Sequence, residues 1–75
     1  MNKERRKQIN KLIDKIRENI SELDGIIDDE QDAFDNLSEG LQCTMRAADM
    51  EEAIDTMNEA LDQLNEAADT LEEVT

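Results

Sequence analysis

Apolar residues advance along the first half of the chain in alternating steps of four and three: Ile9, Ile13, Ile16, Ile20, Leu23 and Ile27, then Phe34 and Leu37. A repeat of about 3.5 residues is the mark of an α-helix packed lengthwise against another in a left-handed coil. Lettering Ile13, Ile20, Ile27 and Phe34 as heptad position a places Ile9, Ile16, Leu23, Glu30 and Leu37 at d. The spacing predicts a helix over about residues 2–37, with Asn2 as its N-cap. Gly25 falls at the outward position f, where it costs about 1 kcal/mol of helix propensity but leaves the stripe intact.

The rhythm lapses over residues 38–44 and resumes from about 45 to 74. Ala47, Ile54, Leu61 and Ala68 take a, and Met50, Met57, Leu64 and Leu71 take d. Three heptads repeat almost as copies: Met-Glu-Glu-Ala-Ile-Asp-Thr, Met-Asn-Glu-Ala-Leu-Asp-Gln and Leu-Asn-Glu-Ala-Ala-Asp-Thr. Thr44 or Asp49 opens this second helix, and Asp49 with Glu52 has capping-box spacing. Two heptad helices joined by a short connection, in 75 residues without proline, predict an all-α fold. The expectation is one helical-hairpin domain over 1–75, its helices antiparallel. Glu30 is the odd layer in the stripe. Either its carboxylate reaches the edge, toward Arg46, or it is a polar position that fixes register or oligomeric state.

The stripe is wider than one neighbour needs. Position g adds Leu12, Ile26 and Ala33 in the first helix and Ala53, Ala60, Ala67 and Val74 in the second. An apolar arc of that width suits a bundle, and small chains draw only ~3–5 kcal/mol from one core. A homodimer forming a four-helix bundle is therefore expected, with a different protein partner as the alternative.

Composition narrows the chemistry. With no histidine, one cysteine (Cys43) and a single aromatic (Phe34), there is no Cys-His pair, no zinc-finger set and no Glu-x-x-His di-iron motif. No cofactor, metal site or catalytic residue is expected, and the protein is not expected to be an enzyme. A polar amino terminus without an apolar h-region and the lack of any long apolar run make a cytoplasmic location, away from membranes, the expectation. The net charge of -13 disfavours direct binding to nucleic acid. That charge is split. Residues 1–17 hold seven of the eight basic side chains, while residues 18–75 hold Arg46 against nineteen acids. In an antiparallel hairpin the basic segment lies beside the acidic end of the second helix, so Lys11 and Lys15 are expected to face carboxylates.

The second helix carries Glu52, Glu59, Glu66 and Glu73 at f and Asp55, Asp62 and Asp69 at b. They interleave to give one carboxylate per ~5.2 Å of axis. Acidity continues near the turn with Asp28, Asp29, Glu30, Asp32 and Asp35. Three readings compete: a solvated face, a mimic of nucleic acid that docks into a basic cleft, and divalent-cation binding. The third is weakest, because Asp24-Gly25-Ile26-Ile27-Asp28-Asp29-Glu30 lacks the calcium-loop spacing.

Three stretches carry a resemblance: Met-Asn-Lys-Glu-Arg-Arg-Lys at the start, Asp-Glu-Gln-Asp-Ala-Phe-Asp-Asn-Leu-Ser-Glu-Gly-Leu-Gln at 29–42, and Met-Glu-Glu-Ala-Ile-Asp at 50–55. The chain resembles a family of short, acidic two-helix proteins of Gram-positive phages and mobile elements. Members often carry proline where Ser38 stands and serine where Gly40 stands, so the turn here departs from the pattern. The resemblance implies a mobile-element accessory protein in the cytoplasm of a bacterial host, binding and inhibiting a host protein such as a defence nuclease. The partner's identity is not legible in the sequence. The expected contact residues are Asp28, Asp29, Asp32, Phe34, Asp35, Leu37 and Leu41 around the turn, with Glu52, Asp55, Glu59, Asp62, Glu66 and Asp69 along the second helix. A purely structural coiled-coil role is the alternative.

Overall fold

The computed structural model describes residues 1–37, 40 and 44–75. Two helices account for most of them, α1 (Lys3–Asp35) and α2 (Met45–Glu72). They pack side by side as an antiparallel hairpin whose Cα envelope measures 59 × 14 × 11 Å.

Both helices open on the caps that the sequence offers. Asn2 sits in extended backbone, and its Oδ1 accepts the Arg5 amide at 2.9 Å. Thr44, rather than Asp49, opens α2, its Oγ1 accepting the Ala47 amide at 3.4 Å. Each cap satisfies one of the four amides that a helix start leaves without an internal acceptor. Both helices close slightly earlier than the stripe suggests, α1 at Asp35 rather than Leu37 and α2 at Glu72 rather than Val74. The last amides turn to tighter i→i−3 bonds, Leu37 to the Phe34 carbonyl at 3.1 Å and Val74 to the Leu71 carbonyl at 3.2 Å. Neither last turn contains a basic side chain. Instead Asp32 and Asp35 in α1, and Asp69 and Glu72 in α2, oppose the negative end of the helix dipole, which weakens these termini. Gly25 lies inside an unbroken α1.

The core is thin and one-sided. Ile13, Ile27, Ala47, Ile54 and Ala68 are buried, and all five are a positions. None of the d residues is: Ile9, Ile16, Leu23, Glu30 and Leu37 in α1, and Met50, Met57, Leu64 and Leu71 in α2, are each only half-covered. The deepest burial thus falls on the a rows, although Ile20, Phe34 and Leu61 at a are half-covered like the d residues, which lie toward one flank. Ala47 and Ala68, at 1% and 0% exposure, are the most completely buried side chains.

One expectation about charge needs correction. Lys11 and Lys15 are exposed and make no ion pair; Arg17 reaches the α2 carboxylates instead. Its position e borders the seam, whereas f and c, where Lys11 and Lys15 stand, point further round the helix. Glu30 is half-buried at the seam, and no ion pair joins it to Arg46.

Candidate partner-binding surface

The helical repeat gives the hairpin two unlike flanks. Around either helix, e and b follow a on one side, while g and c follow d on the other. Arg17, at e of α1, crosses to Asp69 Oδ1 at 3.2 Å and Glu72 Oε1 at 2.5 Å, which occupy b and e of α2. This cluster shows that the e and b rows of the two helices share a side. Near the turn the same side forms a groove of about 360 Å³ lined by Gln31, Phe34, Glu51, Ile54 and Asp55. Its floor is apolar, from Phe34 and Ile54, and its α2 wall is carboxylate, from Glu51 and Asp55.

Arg17 closes the open end of this side. The two carboxylates hydrogen-bonded to it, Glu72 foremost, raise the affinity of its guanidinium for its proton still further above the ordinary arginine range. Solvent reaches all three side chains, so the cluster is screened and contributes modestly to stability. Its value is as an internal example of what the α2 surface accepts: one guanidinium between a b and an e carboxylate three residues apart.

The expected contact residues divide accordingly. Asp28, Asp29, Asp32 and Asp35 in α1, and Glu52, Asp55, Glu59, Asp62, Glu66 and Asp69 in α2, are all exposed. Of these ten only Asp69 has a cationic partner. Asp35 accepts a hydrogen bond from Gln31 Nε2 at 3.0 Å. Phe34 and Leu37 are half-buried, Phe34 forming part of the groove floor. Leu41 lies outside the described residues. The structure therefore brings Phe34 and Asp55 to one groove, while the f-row glutamates run along the outer edge of α2. Sequence reasoning passed over Arg17, Gln31 and Glu51. All three occupy e positions, and lettering the e rows beside the b rows would have found them.

The opposite flank is apolar. Leu12, Ile26 and Val74 are 49, 55 and 43% exposed, and Ala33, Ala53 and Ala67 are exposed beside them. A second, shallow groove of about 430 Å³ lies along this flank of α2, lined by Asp49, Glu52, Ala53, Thr56 and Met57.

Among the described residues no three His, Cys, Asp or Glu side chains group as a metal-binding set, and no helix is long and apolar enough to cross a membrane. Compared with known protein families, characterised proteins and solved structures, the chain matches none.

Proposed function

We propose that the protein is a non-enzymatic binding module that occupies a basic surface of another protein through its e/b/f side and the turn end. The observation that carries this reading is uncompensated charge. Along α2, Glu52, Asp55, Glu59, Asp62 and Glu66 stand in a row without a cation, and Arg17 matches only the end of it, at Asp69 and Glu72. Such a row repels itself and opposes folding, so a partner that neutralises it binds with a favourable electrostatic term. Arginine and lysine side chains of the partner would take the place along this row that Arg17 takes at its end, with Phe34 and Ile54 offering an apolar floor to an arginine stem.

Nucleic-acid mimicry is one form of this reading. A DNA strand presents one charge per 3.4 Å of axis, against one per ~5.2 Å for the α2 seam, so the α1 acids Asp28, Asp32 and Asp35 are needed to raise the density at the turn end. In keeping with the resemblance to mobile-element proteins, the basic surface would belong to a bacterial host protein in the cytoplasm, such as a defence nuclease, and binding would block it. The module requires no cofactor and no membrane. A purely structural role is favoured by one observation, the half-covered d row, which invites further helices.

The two roles separate by charge reversal. Glu59→Lys, Asp62→Lys and Glu66→Lys together change exposed positions away from the seam, so the fold survives. Immobilised wild-type protein should retain a specific basic protein from bacterial lysate, identified by mass spectrometry, and the triple variant should lose it. Equal retention by both proteins, or recovery of nothing but the chain itself at physiological salt, would refute docking through the acidic side.

A further inference from the structure

We infer that the apolar g/d flank is covered by a second copy of the chain, laid head to tail so that α1 packs on α1 and α2 on α2. This interface lies on the flank opposite the acidic side and does not depend on docking to a basic partner.

The flank meets the requirements of a helix-packing face. Its d residues Ile9, Ile16, Leu23, Met57, Leu64 and Leu71 are half-covered within one chain. Leu12, Ile26 and Val74 stand beside them at 49, 55 and 43% exposure. The residues bordering the flank on α2 at position c are Asp49, Thr56, Gln63 and Thr70, three of the four uncharged. Beyond Asp49 and Glu52, which line the shallow groove nearest the turn, the α2 acids lie away from this side. Laid along a 59 by 14 Å envelope, a second copy covers on the order of 800 Å² on each partner, the size of a standard stable interface. The alanines at g of α2 permit close approach of a second helix.

Charge selects the occupant's direction. Residues 20–64, the half nearest the turn, hold fourteen acids against Arg46, and so carry all of the net -13. The other half is balanced, seven basic side chains against seven acids. Two copies with their turn ends together would set the two negative halves against each other. Reversing one copy sets the charge-balanced half of each chain along the acidic half of the other, with Lys15, at the bordering position c, the basic side chain nearest the interface. With the rods fully overlapped, the two-fold axis crosses α1 near Glu22 and α2 near Leu64. Leu12 then meets Ala33 of the second copy, Ala60 meets Ala67, Ala53 meets Val74, and Lys15 comes alongside Asp29. A helical partner of a different sequence would have to supply both this apolar row and this charge order; the chain already contains both.

The test uses the intact chain at 10 to 200 µM. Light scattering should give about 17 kDa, twice the 8.6 kDa of one chain, a state expected of most two-fold oligomers. A nitroxide placed on Cys43, next in sequence to Thr44, should report pair distances approaching the 59 Å rod length. Side-by-side copies with their turns together would instead give distances within about 20 Å, set by helix packing at 8–10 Å. Leu12→Gln with Ile26→Gln, both at exposed positions, should shift the protein to monomer. A monomer mass for the unmodified chain at 200 µM would hand the flank to another protein and overturn the proposal. A dimer with short label distances would overturn it equally, as would a larger assembly. Both of these readouts use the unmodified fold, so loss of structure in the double variant does not shelter the idea.

Discussion

Ile26 and Ile27 are neighbours on α1 with the same side chain and opposite surroundings, 55% and 6% exposed. Replacing each by alanine gains the same few tenths of a kcal/mol in helix propensity, so the difference between the two variants isolates burial. Ile27→Ala removes three carbons from the seam, worth about 2.4 kcal/mol at ~0.8 kcal/mol per buried methylene. The cavity left opposite the α2 stripe adds to this, within the overall range of about 2–5 kcal/mol for such truncations. Ile26→Ala should lie within about 0.5 kcal/mol of wild type in the single chain. Against the roughly 3–5 kcal/mol that one small core supplies, Ile27→Ala is enough to lower the folded-to-unfolded ratio at least 30-fold. Urea titration followed by circular dichroism at 222 nm, at a chain concentration where light scattering gives the monomer mass, reads both variants on one scale. Ile26→Ala should keep its midpoint and Ile27→Ala should lose most of its folded baseline. Equal midpoints would mean that α1 does not meet α2 along its a row, and the packing described above would be wrong.

Gly25 points into open space, with nothing within 4 Å of a Cβ built there, so Gly25→Ala should stabilise the chain by about 1 kcal/mol, checked by the same urea titration. Thr44→Ala removes the acceptor for the Ala47 amide and should cost about 1 kcal/mol; Thr44→Ser should restore most of it. Raising salt from 0.01 to 1 M shortens the screening length from about 30 to 3 Å, and thermal melts should shift upward by about 5 °C or more as repulsion within residues 20–64 is screened. A melt independent of salt would show that the acids do not oppose folding.

The fold was legible because a seven-residue rhythm constrains both the secondary structure and the face that it buries. Asn2 and Thr44 were legible as caps because each is a short oxygen-bearing side chain placed just before a stripe begins. The helix ends were not, since a stripe says nothing of the backbone bonds that fray past Phe34 and Leu71. The choice of Arg17 over Lys11 and Lys15 depends on rotation about the helix axis: equal weight on a and d does not reveal that the fully buried residues all stand at a. That rotation leaves the d row half-covered and makes e the bordering row that holds Arg17, Gln31 and Glu51. As for the candidate site, the sequence showed the carboxylate row on α2, but only the packed pair joins Glu51 and Asp55 to the Phe34 floor across the helices.

Under the proposed binding role, the arrangement of acids has a use beyond solubility. Solubility would be served by glutamate and lysine mixed over the outer positions, which favour helix and pair at i, i+4. Here α2 sets aspartate, a weaker helix former, at Asp55, Asp62 and Asp69, and keeps every lysine out of both α2 and the turn half of α1. Aspartate has one fewer rotatable bond than glutamate, so its carboxylate is held closer to the backbone and loses less freedom when a partner fixes it. The Arg17 cluster illustrates the consequence: Asp69 at b and Glu72 at e hold one guanidinium from opposite ends of a helical turn. Asp55 and Asp62 recur at the same position one and two heptads nearer the turn, where Asn58 and Asn65 replace the second carboxylate and α1 supplies no arginine. The proposal is that another molecule supplies at Asp55 and Asp62 the cations that Arg17 supplies at Asp69.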